Sequence, residues 1–131
     1  MSAQESSTPL GRVRGLGSAQ HGGEHWIRER LISAALLLLT IWLVASLLML
    51  PSLDQRTIVE WLRPASGAVP MALLIILGFI HAIDGLKVVI DDYVHDAGNN
   101  LALNGLVIFA GYGAMALALF SLARIAFGAG E

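Results

Sequence analysis

The chain of 131 residues contains no cysteine. Disulfide frameworks, cysteine-held iron–sulfur clusters, thiolate nucleophiles and c-type haem attachment are thereby excluded, and any redox metal must be held by other ligands. Charge is scarce too: 14% of residues are charged, against about 25% in a soluble domain. A formal net charge of −2 leaves no basic excess to hold nucleic acid. The first thirty residues, MSAQESSTPLGRVRGLGSAQHGGEHWIRER, lack an apolar run that could serve as the core of a secretory signal. Arg12 and Arg14 among Ser and Gly fit a mitochondrial transit peptide, but Glu5, Glu24 and Glu29 are more acid than such peptides carry. A bacterial protein with a polar, partly disordered segment over 1–30 is expected.

What is abundant is apolar surface, at 56% of residues and a mean hydropathy of +0.69. Residues 31–50, LISAALLLLTIWLVASLLML, run without a charge for the length that crosses a hydrocarbon core of about 30 Å. The following PSLDQRTIVEWLRPASG holds four charges and two prolines and reads as a loop at the far surface, with Trp61 as an interfacial anchor. A second apolar run starts near Ala68, meets Asp84 and Lys87, and can stay helical to Tyr93. The third, residues 101–123, is uncharged and closed by Arg124; its Gly105, Gly111 and Gly113 suit close helix contact, since lipid gives helices no hydrophobic reason to associate. The expected fold is an all-α integral membrane protein with three transmembrane helices at about 31–50, 66–93 and 101–124. Arg12, Arg14, Arg28 and Arg30 ahead of the first span put the N-terminus in the cytoplasm by the positive-inside bias.

On a helix, His81, Asp84, Lys87, Asp91 and His95 fall on one side and form a polar stripe over four turns. Ionisable groups at membrane depth are costly unless they face protein or water, and they commonly mark an ion, proton or redox path. Asp84 and Lys87, and Lys87 and Asp91, are spaced to neutralise one another. Asp91, Asp92 and Asp96 near the helix end also suit simple contact with headgroups. His81 lies about 18 Å of helix from Tyr93, well inside the bilayer. Two readings stand for it: a hydrogen bond to a neighbouring helix, or an axial imidazole on haem iron. His21, His25 and His95 all fall outside the expected hydrocarbon, so a second axial imidazole has to come from a partner subunit.

The segment HAIDGLKVVIDDYVH resembles the small membrane anchor family of succinate dehydrogenase (succinate:quinone oxidoreductase, respiratory complex II), in which a histidine of the second span precedes an Asp-Tyr pair by the same interval. His81, Gly85, Asp92 and Tyr93 reproduce that pattern. The likeness continues in the R-x-R-L-x-S-A that starts at Arg28 and in the closing RIAFG, so it covers roughly residues 10–128 and looks closest to alphaproteobacterial forms. It implies an anchor without succinate chemistry of its own, joined with a sister anchor (cytochrome b subunit), an iron–sulfur subunit and a flavoprotein subunit in the bacterial inner membrane. It further implies His81 as a ligand of haem b, Arg30 beside the haem propionates, and Tyr93 with Asp92 at a ubiquinone site. His25 matches the family's upstream histidine less well, being five residues before Arg30 where six is usual. The stripe itself suggests Asp84, Lys87 and Asp91 as a proton route to the quinone. Two rivals are the anchor of a fumarate reductase and a non-redox helper subunit of a transporter; the second predicts neither haem nor quinone dependence.

Overall fold

Four helices follow in chain order, α1 Gly22–Met49, α2 Gln55–Leu62, α3 Ala65–Tyr93 and α4 Ala97–Ala126, in a computed structural model that describes residues 22–128. Most of the 1–30 segment, and with it the expected disorder there, lies outside the described residues. The chain falls into two units, residues 1–31 and 32–131. In the first, the opening turns of α1 carry a guanidinium of Arg30 4.9 Å above the ring centroid of Trp26, a cation–π contact.

In the second unit the three long helices meet the expectation of an all-α membrane protein. The apolar spans of α1, α3 and α4 have 24, 29 and 30 residues, about 36, 44 and 45 Å of helix. The last two exceed a hydrocarbon core of about 30 Å by several turns, so their polar ends reach the headgroups. Two bounds differ from the sequence expectation. Helix α1 begins nine residues ahead of its apolar run, because 22–30 contains no proline and carries the good helix formers Glu24, Arg28, Glu29 and Arg30 behind its opening glycines. Helix α4 begins at Ala97 because Asp96 caps it, its carboxylate accepting from the Asn99 backbone N–H at 2.9 Å.

The expected far-surface loop contains a helix, α2. Asp54 is its N-cap, accepting from the Thr57 backbone N–H at 3.0 Å and from the Thr57 hydroxyl at 3.1 Å, with the Ser52 hydroxyl donating to the same carboxylate. These hydrogen bonds, that from Ser52 foremost, hold the Asp54 carboxyl below the usual carboxylate range. Helix α2 turns directly into α3 at Arg63 and Pro64, and Gly67 lies flat against the Trp61 carbonyl and the Leu62 Cα, where a Cβ has no room. Trp61 is stacked on Trp42 of α1, ring centroids 5.5 Å apart and planes 26° from parallel. The anchor expected at the interface is thus also a tie between helices.

Helices α3 and α4, joined by three residues, run antiparallel and pack along their length. The covered seam of α4 is Asn100, Asn104, Val107, Gly111, Met115, Ala118, Leu122 and Ile125, at intervals of three or four. Across it Ile83 is buried against Gly111, so close that a Cβ on the glycine meets its Cδ1 and Cγ1 at 2.6 Å. Gly105 and Gly113 face outward with nothing within 4 Å of a built Cβ, so one of the three glycines serves this chain's own packing. Leu62, Ile83 and Leu122 are the buried apolar side chains among the described residues. Most of the remaining apolar surface is left for lipid or other subunits.

Candidate functional site

Ile83 fixes the rotation of α3, because it is the residue buried against α4. At about 100° per residue His81 then points nearly away from α4, and it is exposed. Gly78 and Gly85, one turn before and one after, flank it on that outer face. A Cβ built on either meets nothing within 4 Å. His81 is thus an exposed imidazole with a glycine one turn to either side. Among the described residues no group of three or more His, Cys, Asp or Glu is placed to hold a metal ion. Asp84 and Lys87, both half-buried, follow on the α3 side between His81 and the α4 seam.

Asp92 lies eleven residues beyond His81 and so on the same line of the helix, while Tyr93 is about a third of a turn round from it. The side chain of Tyr93 is 80% exposed, and neither it nor Asp92 makes a hydrogen bond among the described residues. Two turns below Tyr93 on its own line is Leu86. With Phe79, Ala82, Ile83, Leu106, Val107, Ala110 and Gly111 it lines an apolar groove of about 400 Å³ between α3 and α4. The structure therefore places a phenol donor above an apolar slot, and an imidazole on a separate outer face about 18 Å away along the axis.

Asp91 is in a different situation from its neighbours. One oxygen, Oδ1, accepts from the carboxamides of Asn100 at 3.0 Å and Asn104 at 2.9 Å, both on α4. Neither asparagine stands out in the sequence. Asn104 lies inside a run notable only for its lack of charge, and a neutral carboxamide at a helix seam escapes that criterion although it needs a partner just as a charge does. Its spacing of four from Asn100 was the available signal.

Arg30 belongs to the N-terminal unit and is described there by its contact with Trp26. His21 and the side chain of His25 lie outside the described residues. His95 follows α3 as an exposed residue. A second hollow of about 420 Å³, lined by Gln55 and Val59 of α2, Arg63 just after it, and Ser121, Arg124 and Ile125 of α4, lies at the opposite end of the helices and contains none of the expected site residues.

Comparison with known proteins agrees with the arrangement. The family described as succinate dehydrogenase/fumarate reductase transmembrane subunit matches residues 4–123. The succinate dehydrogenase hydrophobic membrane anchor subunit of Paracoccus denitrificans is 32% identical over 93% of this chain and 94% of its own length. That of Rickettsia bellii is 30% identical over 87% of this chain and 83% of its own. No solved structure matches.

Proposed function

The chain belongs to the succinate dehydrogenase/fumarate reductase transmembrane subunit family, and from that premise we propose that it supplies one axial ligand of a haem b and part of a ubiquinone site. Its general role is that of a membrane anchor, with three apolar spans and no succinate chemistry of its own. The relatives are succinate dehydrogenase anchors, which supports that assignment over the fumarate reductase one. The partners are a sister anchor, an iron–sulfur subunit and a flavoprotein, in a bacterial inner membrane with the N-terminus cytoplasmic.

The observation that carries the haem assignment is the outer face of α3, where His81 stands between two glycines with open space above each. A neutral imidazole is a competent ligand for haem iron, and a second ligand would come from the sister anchor. Haem bound there supplies a one-electron carrier. Arg30 is assigned to the haem propionates on the family resemblance, with a charge-assisted hydrogen bond as the contact. At the other position Tyr93 donates its phenolic hydrogen to a quinone carbonyl, and Asp92 beside it shapes the polar end of the site. Reduction to quinol takes two electrons from the iron–sulfur subunit and two protons from water-connected groups. Asp84 and Lys87 continue the polar stripe from that end and form the proton route with water. Asp91 belongs to the same route, with its Oδ1 accepting from Asn100 and Asn104.

Tyr93→Phe in the assembled complex tests the quinone site. Loss of one hydrogen bond to the carbonyl is expected to lower kcat/KM for quinone about tenfold, while succinate oxidation with a soluble dye is unchanged. Equal loss of both activities, or of neither, contradicts the assignment.

A further inference from the structure

The hydrogen bonds that join the last turn of α3 to α4 do more than close a seam. Asn100 donates to Asp91 Oδ1 at 3.0 Å and, at 3.3 Å, to the backbone carbonyl of Val94, the residue that caps α3. Asn104 donates to Asp91 Oδ1 at 2.9 Å and to the Asn100 side-chain oxygen at 3.0 Å. The two anchored positions, 91 and 94, bracket Asp92 and Tyr93, whose side chains project outward with no hydrogen bond among the described residues. Helix ends fray because their last carbonyls have no partner in the helix. Here one of those carbonyls is capped from the neighbouring helix, and the cap is itself locked by a second carboxamide one turn further along α4. The orientation of Asn104 is set by this task. Both of its contacts use the nitrogen, and its own oxygen is buried without a partner among the described residues, a disposition that costs free energy.

We infer that Asn100 and Asn104, acting through Asp91 and the Val94 carbonyl, are positioning residues that fix the turn presenting Asp92 and Tyr93 to the quinone. The inference rests on the quinone assignment above and adds the device that pre-organises it. A phenol on a frayed turn samples many directions; one on a clamped turn waits in the direction of the carbonyl it must meet. The clamp leaves Tyr93 itself unengaged, as a donor awaiting a ligand has to be.

The test uses the assembled complex with the variants N104L and N104D and the double exchange D91N/N104D. N104L removes the donor, and N104D sets a second carboxylate against Asp91. The double exchange restores one carboxylate and one carboxamide in reversed places. Both single variants are expected to raise KM for a short-chain quinone about tenfold with a smaller change in kcat, to leave dye-coupled succinate oxidation and the haem spectrum as in the parent, and to speed amide exchange at 92–94. The double exchange is expected to recover most of the KM. An unchanged KM alongside faster exchange overturns the inference, as does a fall in dye activity and haem content parallel to the quinone defect, which marks a merely structural role. Should a single variant not assemble, the KM of the double exchange still decides, because recovery there requires the reversed clamp. Tyr93→Phe, run in parallel, separates the two claims: if it leaves quinone reduction intact the quinone assignment falls, whatever the asparagines do to exchange.

Discussion

His81 and Tyr93 lie on one helix but ask for opposite surroundings. For the haem-ligand role proposed for His81, the relevant feature is the open space beside Gly78 and Gly85, one turn to either side. For the quinone-donor role proposed for Tyr93, the relevant feature is that it is exposed just where α3 is tied to α4. Gly85→Leu is therefore expected to disturb the haem band while leaving quinone reduction measurable, a separation that absorption spectra and kinetics on the same sample would show. Asp84→Asn tests the proton route: quinone turnover should fall severalfold with dye-coupled succinate oxidation intact, and unchanged turnover removes Asp84 from it. His81 was legible as a candidate because a polar stripe interrupts an apolar run, whereas Asp92 and Tyr93 were named through the family resemblance and not by the physics of the residues themselves. Asn100 and Asn104 were not legible, because a criterion built on charge passes over carboxamides whose need for partners appears only when the second helix is alongside.

At the scale of elements, the spans were readable from length and apolarity, and α2 was not. Two prolines stand close to its eight residues and four charges lie in the surrounding stretch, the marks of a loop. What makes it a helix is the Asp54 cap and the burial of Leu62, the second of which is a tertiary fact. Because hydrogen bonds from Ser52 and Thr57 depress the Asp54 carboxyl, its contribution to α2 is present in full above its unfolded value near 3.8 and is lost as pH falls through the lower folded one. Exchange of the 55–58 amides should accordingly accelerate only at strongly acid pH, and Asp54→Asn should abolish that dependence. The glycines offer a sharper contrast. Gly67→Ala drives a Cβ into backbone at the α2–α3 corner and should cost about 1–3 kcal/mol or more, whereas Gly111→Ala meets the movable end of Ile83 and should cost less. Thermal scans of the two purified complexes compare them directly.

For the whole molecule, the decisive feature is how little of it is covered. Leu48, Phe109 and Phe127 are each more than four-fifths exposed, and Gly105 and Gly113 leave α4 a flat outer face. Lipid can cover the apolar part, but exposed ionisable groups on α3 such as His81 and Asp92 are costly to set against it. Association with other membrane helices follows from the composition and the packing together, and the polar stripe made it legible before any fold was in hand. Which subunit covers which face depends on surfaces that belong to the partners, and no single sequence carries them. Expressed without partners, the chain is expected to accumulate poorly in the membrane and to recover on co-expression with its sister anchor, as immunodetection of membrane fractions would show.

The most direct test of the account is a reduced-minus-oxidised absorption spectrum of the detergent-solubilised complex that co-purifies with a tagged copy of this chain, taken beside that of the His81→Ala form. The account predicts a flavin-containing, succinate-oxidising complex with a b-type band that is lost or shifted by the substitution. A complex whose b-type band is the same in both forms, or one with no haem at all, would contradict the assignment of His81 as its ligand.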